Sequence, residues 1–187
     1  MSDYAADFLA ANPLPWPGAR RLMAAGVPGA VVGEMNGRGT LGAARVQVTG
    51  KGARFEIEGP DARLLLAVED GAGAVIDVVA LSTSDENQWS LLTGMGDLLG
   101  EAALEDAVVH NRRELRLFAT PMDWLRGGMA GVCVLAWNRP ALGALRMLPA
   151  SLTLVVSAGV GERLRGLLAF GALPKVAEIR GNMERAA

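Results

Sequence analysis

The residue types that carry most enzyme chemistry are scarce in this chain of 187 residues, which has one His and one Cys. Both fall in HNRRELRLFATPMDWLRGGMAGVCVLAW (110–137), together with two of the four Trp, Trp124 and Trp137. A His–Cys nucleophile pair is therefore a question about His110 and Cys133 alone. His110 stands in a polar connector, HNRRE, and the sequence offers no partner to orient it as a general base. Cys133 lies between Val132 and Val134, where a thiol behaves as a small buried apolar group with no nearby cation to lower its pKa. A single Cys excludes an intrachain disulfide and a Cys-built zinc site, and a single His excludes a multi-His site. No catalytic residue, metal site or cofactor is assigned.

The remaining chemical candidates are loops and charges. SLTLVVSAGVGERLRG reads as strand, Gly-rich turn, helix, the setting in which helix N–H groups hold a phosphate. Ser157, Gly159 and Gly161 are the candidate ligand residues. The spacing of Gly159, Gly161 and Gly166 is G-x-G-x-x-x-x-G, which is neither a dinucleotide fingerprint nor a phosphate-binding P-loop, so an ordinary strand–helix turn is the favoured reading. The acid pairs Glu69-Asp70 and Asp85-Glu86 flank turns, where carboxylates serve solvation and capping. A metal-dependent nuclease or a topoisomerase–primase type of site needs acids at the carboxyl ends of sheet strands. The C-terminal strands instead end in Ala119-Thr120, Trp137-Asn138 and Ser157.

Charge is unevenly distributed. Residues 1–106 carry 7 Lys/Arg and 15 Asp/Glu, whereas residues 107–187 carry 11 and 5, giving −8 and +6. Arg112, Arg113, Arg116, Arg163 and Arg165 are the candidate nucleic-acid contacts of the basic half. A net charge of −2 is a poor electrostatic match for nucleic acid, which favours neutralisation of the two halves across their own contact.

The elements that must position these residues follow from periodicity. Residues 2–11 suit a short helix capped by Ser2, with Phe8 and Leu9 on its apolar side. NPLPWPG stops it, ARRLMAAG forms a second helix ending at Gly26, and VPGAVVGEMNGRGTLG reads as turns and an extended piece. From residue 43, Val46/Val48 and Phe55/Ile57 alternate with polar neighbours, and RLLLAVED and AVIDVVAL continue a meander of about four antiparallel strands. Ser84, Asp85 and Glu86 suit the start of a helix. The rest alternates: ELRLFA, GVCVLAW, SLTLVVS and PKVAEIR as strands, PMDWLR, PALGALRML and GERLRGLLAF as helices. In PMDWLR, Thr120 is the N-cap, Pro121 the first helical residue and Asp123 a first-turn acid able to return a bond to the cap's N–H; GG (127–128) ends it. Asp123 and Arg126 are the two residues of this helix with a candidate functional surface, against a reading as cap and stop. The expected fold is α+β (or α/β), an antiparallel strand meander followed by a small alternating β-α lobe. Its parts are a helical and turn arm (1–42), the meander plus a helix (43–106) and the lobe (107–187), the last two forming one compact unit.

Two segments, IDVVALSTSDENQWSLLTGMGDLLG (76–100) and LRLFATPMDWLRGGMAGVCVLAW (115–137), resemble a family of proteobacterial prophage and mobile-element proteins. Its pattern runs roughly DLVA…W..R.G….LG and then P-L-x-W-L-R-x-G-x-x-G-x-x-V-L-D-W. The resemblance covers about a third of the chain. It departs at Leu92, Met122 and Ala136, where the family has Arg, Leu and Asp. It implies a genomic setting and no activity. The N-terminus lacks a basic start followed by an apolar run, and no apolar stretch approaches the roughly 18 residues needed to span a bilayer. The expectation is a cytoplasmic, non-catalytic accessory protein acting through a protein partner. A nucleic-acid-associated factor using the basic half, and a nucleotide or small-ligand binder at 157–162, are the alternatives.

Overall fold

The computed structural model describes residues 3–50, 53–168 and 175–179. Three helices come first: α1 (Asp3–Ala11), α2 (Trp16–Ala24) and α3 (Gly29–Gly37). Ser2, the expected cap of α1, lies outside the described residues. α1 stops before Pro13, which instead bridges to Gly42. Only a glycine fits there, because a β-carbon on Gly42 would sit 2.3 Å from the Asn12 carbonyl oxygen. α2 starts earlier than ARRLMAAG suggested, since Pro17 is tolerated in a first turn where its missing N–H has no intrahelical partner.

The expectation of turns over 27–42 is corrected by α3. Val31, Val32 and Met35 are buried on one side, while Gly29, Gly33 and Gly37 recur every fourth residue on the exposed side. Each interior glycine costs a helix about 1 kcal/mol relative to Ala. Burying two Val and a Met contributes several kcal/mol, at roughly 1.5–3 each, and outweighs it.

The meander forms as expected and then closes. β1 (Leu41–Thr49), β2 (Arg54–Ile57), β3 (Asp61–Glu69) and β4 (Val75–Ser82) are joined by β5 (Trp89–Leu91) in a closed barrel of order β1-β2-β5-β4-β3. The helix expected from Ser84 does not form. Ser82 accepts the N–H groups of Ser84 and Asp85, and Asp85 accepts that of Asn87, so these side chains close a tight turn. Trp89, Ser90 and Leu91 then pair with Leu81, Ala80 and Val79. The next loop is organised by Asp77, fully buried on β4. Its carboxylate accepts the N–H groups of Val78 (2.8 Å), Thr93 (2.9 Å) and Gly96 (3.0 Å).

The second sheet comprises β6 (Leu98–Leu99), β7 (Glu114–Phe118), β8 (Val132–Val134), β9 (Thr153–Ser157) and β10 (Lys175–Ile179), in the order β10-β9-β7-β8-β6. All its pairings are parallel except β6 with β8. Its helices are α4 (Glu101–Val109), α5 (Pro121–Arg126), α6 (Arg139–Arg146) and α7 (Ala158–Leu168). The 106/107 boundary falls inside α4, and β6 already belongs to this sheet.

Alternation along the strands separates two cores. Leu115, Leu117, Val132 and Val134 point to the face packed with Leu104, Leu145 and Leu164 from α4, α6 and α7. Phe118 and Cys133 point to the other face. There they meet Trp124 and Leu125 of α5, Leu64, Leu66 and Val79 of the barrel, and Leu22, Val31 and Met35 of the helical arm. A third cluster packs Ala5 and Leu9 of α1 on Val46, Phe55, Leu65 and Val78 of the barrel. The protein has the α+β class read from its sequence.

Candidate nucleic-acid interface

The carboxyl edge of the parallel strands is where an α/β sheet presents its ligand crevice. The crevice opens where successive connections leave in opposite directions. Here β7 leads through α5 to β8 on one side, and β9 leads through α7 to β10 on the other, so the switch point lies between β7 and β9. Ala119, Thr120 and Ser157 stand at these strand ends. None is a carboxylate, and among the described residues no group of three or more His, Cys, Asp or Glu could hold a metal ion.

Thr120 caps α5. Its hydroxyl accepts the Asp123 N–H (3.1 Å) and donates to Asp123 Oδ2 (2.9 Å). The carboxylate thus bonds the cap hydroxyl, where a capping-box acid would reach the cap's backbone N–H. Asp123 Oδ1 also lies 3.4 Å from Arg126 Nη1. Arg126 faces away from the crevice toward other elements. Its Nε donates to the Ala25 carbonyl (2.8 Å), and Nη1 and Nη2 donate to the two Glu86 oxygens (2.6 and 2.5 Å). The fork holds the Glu86 carboxyl below its ordinary pKa and raises that of Arg126, the hydrogen bond outweighing the desolvation each group suffers. Arg126 ties α5 to the helical arm and to the β4–β5 turn, and Asp123 pairs with Thr120 and Arg126 within α5 and its cap.

The expected Gly-rich turn takes another form. β9 passes directly into α7 at Ala158, so Gly159 and Gly161 lie in the helix and Ser157 is exposed at the strand end. Nothing lies within 4 Å of where a β-carbon of Gly159 would sit.

The five arginines occupy two places. Arg112 and Arg113 precede β7, at the amino edge, and Arg116 lies on β7 itself. Arg112 and Arg116, with Asp106, Glu114, Ala130 and Gly131, line a groove of about 370 Å³, and Arg113 is not among its lining residues. Arg112 donates to Asp106 (2.9 Å), which also holds His110 Nδ1 (2.8 Å). His110 is exposed and paired with its own helix, and the Asp106 carboxyl is held below its ordinary pKa chiefly by the Arg112 hydrogen bond. The carboxylates make this groove a mixed-charge surface. Arg163 and Arg165 lie on α7, and Arg163 Cζ lies over the Trp137 ring, 4.8 Å from its centroid. Trp137 follows β8 at the carboxyl edge, half-buried against the α6/α7 core.

Cys133 is buried in β8, and burial, aided by the Asp123 charge, pushes its thiol far above the ordinary range. Sequence reasoning missed two features: the Asp77 loop anchor and the Arg163–Trp137 pair. Asp77 could have been suspected from its place inside an apolar strand. The pair joins residues on separate elements and leaves no linear signal.

A closed five-stranded barrel joined to a five-stranded, mostly parallel sheet defines the class of the molecule. No protein-family model matches the chain, and no curated protein matches its sequence. Solved structures do. The zinc-binding and RNA polymerase domains of Aquifex aeolicus primase align over 95% of this chain and 55% of that one, with TM-score 0.61 and 15% identity. The RNA polymerase domain of Mycobacterium tuberculosis primase DnaG, in complex with a double-stranded DNA oligomer with a 6-nucleotide overhang, aligns over 96% and 71% at TM-score 0.60 and 17% identity. A DnaG primase catalytic domain bound to ssDNA aligns over 90% and 66%, at TM-score 0.58 and 13% identity. The chain shares their fold, and it spans about half the length of the Aquifex chain.

Proposed function

We propose that this protein is a nucleic-acid-associated factor that keeps a primase-like scaffold and acts by binding rather than by phosphoryl transfer. The observation that supports it most is the alignment of nearly the whole chain, barrel and sheet together, with primase polymerase domains, two of them bound to DNA. The non-catalytic part of the reading rests on the donor chemistry of the carboxyl edge. Phosphoryl transfer with metal ions needs carboxylates converging where the strands end, and β7 and β9 end there in Ala, Thr and Ser. The resemblance to prophage and mobile-element proteins fits a cytoplasmic DNA-associated factor of such an element.

The test is a fluorescence-anisotropy titration of the full chain against single-stranded and duplex oligonucleotides at low and at physiological salt. Binding that weakens steeply with salt is expected, because each phosphate contact releases counterions. Absence of any shift at low salt would overturn the reading and leave an accessory role through protein contacts. No helix among the described residues is long and apolar enough to cross a membrane.

A further inference from the structure

We propose that Arg163 and Trp137 form a stacking platform for a base of single-stranded DNA, an inference that rests on the nucleic-acid reading above. Trp137 is fixed from below by the core beneath α6 and α7, and the Arg163 guanidinium covers its ring. Arg163 itself is exposed, and no described carboxylate lies within ion-pairing distance of it. The cation therefore rests over the indole while the side chain stays exposed to solvent.

A guanidinium held over an indole in this way is an exposed group on which an unpaired base stacks, with the cation–π contact holding it in place beforehand. The neighbours on α7 leave room. Gly159 and Gly166, at i−4 and i+3 from Arg163, share its helix face. Neither has an atom within 4 Å of where a β-carbon would sit. On this face the glycines leave space on both sides of Arg163, with the exposed Leu167 at i+4 beyond. Single-stranded DNA is the occupant favoured by this shape, because in a duplex the bases are already stacked on one another. The platform lies at the carboxyl edge, apart from the mixed-charge groove at the amino edge, where Asp106 and Glu114 oppose phosphate.

The experiment compares binding of a short oligo-dT with that of an abasic oligonucleotide of the same length, using the full chain and the variants Arg163→Gln, Arg163→Lys and Trp137→Phe. Base stacking predicts that Arg163→Gln and Arg163→Lys weaken oligo-dT about tenfold while changing abasic binding little. Lysine keeps the charge but has no plane to stack. Trp137→Phe, which keeps a ring, should lose less than either Arg163 variant. Circular dichroism and thermal melting check the fold, and the exposed Arg163 variants carry the test even if position 137 tolerates no change. Equal weakening of both oligonucleotides would mean that Arg163 contacts phosphate, and unchanged oligo-dT binding would mean that the pair only anchors α7. Either result overturns the platform while the nucleic-acid reading stands. If the parent chain binds neither oligo-dT nor duplex, both fall together.

Discussion

Arg126 and Glu86, forty residues apart, meet in a two-pronged ion pair with N···O separations of 2.6 and 2.5 Å. The third donor of the same guanidinium closes on the Ala25 carbonyl at the end of α2. One side chain on a six-residue helix therefore fastens three parts of the molecule.

Replacing Arg126 with Ala is expected to destabilise the fold by about 1–2 kcal/mol, a value kept low because the pair is partly exposed. Arg126→Lys should recover only part of this, since an ammonium cannot fork to both Glu86 oxygens and reach Ala25 as well. The pair also predicts a pH signature. Glu86 is depressed in the folded state, so its contribution is present above the ordinary glutamate value of 4.5 and is lost as pH falls through the lowered value. The stability difference between parent and Arg126→Ala, measured by urea denaturation, should shrink below that pH.

Asp77→Ala removes the acceptor of three N–H groups, with Asp77 itself fully buried. Unsatisfied buried donors cost about 1–3 kcal/mol each, not additively, so a loss of about 3 kcal/mol or more is expected. Asp77→Asn retains one carbonyl oxygen and turns an N–H₂ toward the remaining N–H, giving an intermediate loss. Chemical denaturation would order the three proteins, and equal stability of all three would show that the carboxylate does not hold the 92–97 loop.

Glu101 points the opposite way in pH. Burial, followed by the charges of Glu105, Asp70 and Asp97, raises its carboxyl. Its contribution is fully present below the ordinary value of 4.5 and is lost as pH rises through the raised one. The melting temperature of Glu101→Gln relative to the parent should therefore increase between pH 4 and pH 7, by an amount corresponding to under about 1 kcal/mol. A difference that stays constant with pH would show that the carboxyl is not strained.

Cys133 should resist thiol reagents in the native protein. Its sulfur is fully buried, and the thiolate is suppressed by burial. Labelling is expected to follow global opening, accelerating with denaturant in step with unfolding. Rapid native-state labelling would contradict its placement in the core.

The sequence was most readable where structure is decided locally. TPMDWLRGG yielded its cap, first-turn proline and terminating glycines because each acts within a few residues, and the barrel strands showed in the alternation of Val46/Val48 and Phe55/Ile57. It misled where local preference and burial disagree. Three glycines every fourth residue disguised α3, although its Val31/Val32/Met35 face decides the matter. Ser84 and Asp85 have cap chemistry, but the pairing of β5 with β4 takes that segment into the barrel. At the candidate site the residue types were visible and their grouping was not. In the sequence Arg163 is one of the five candidate cations of the basic half, and Trp137 stands at the end of the strand GVCVLAW. Their contact exists only after β8 and α7 have been laid on the same sheet.

The core that receives side chains from arm, barrel and sheet together has a thermodynamic consequence. Leu22, Val31, Leu66, Val79, Phe118 and Leu125 belong to one buried cluster, so no part can detach without exposing apolar surface on the other two. At roughly 25 cal/mol per Å² of exposed apolar area, such detachment approaches the whole stability of a domain of this size. Melting should then be a single cooperative event, and the first forty residues are as much a part of the folding unit as the strands they cover.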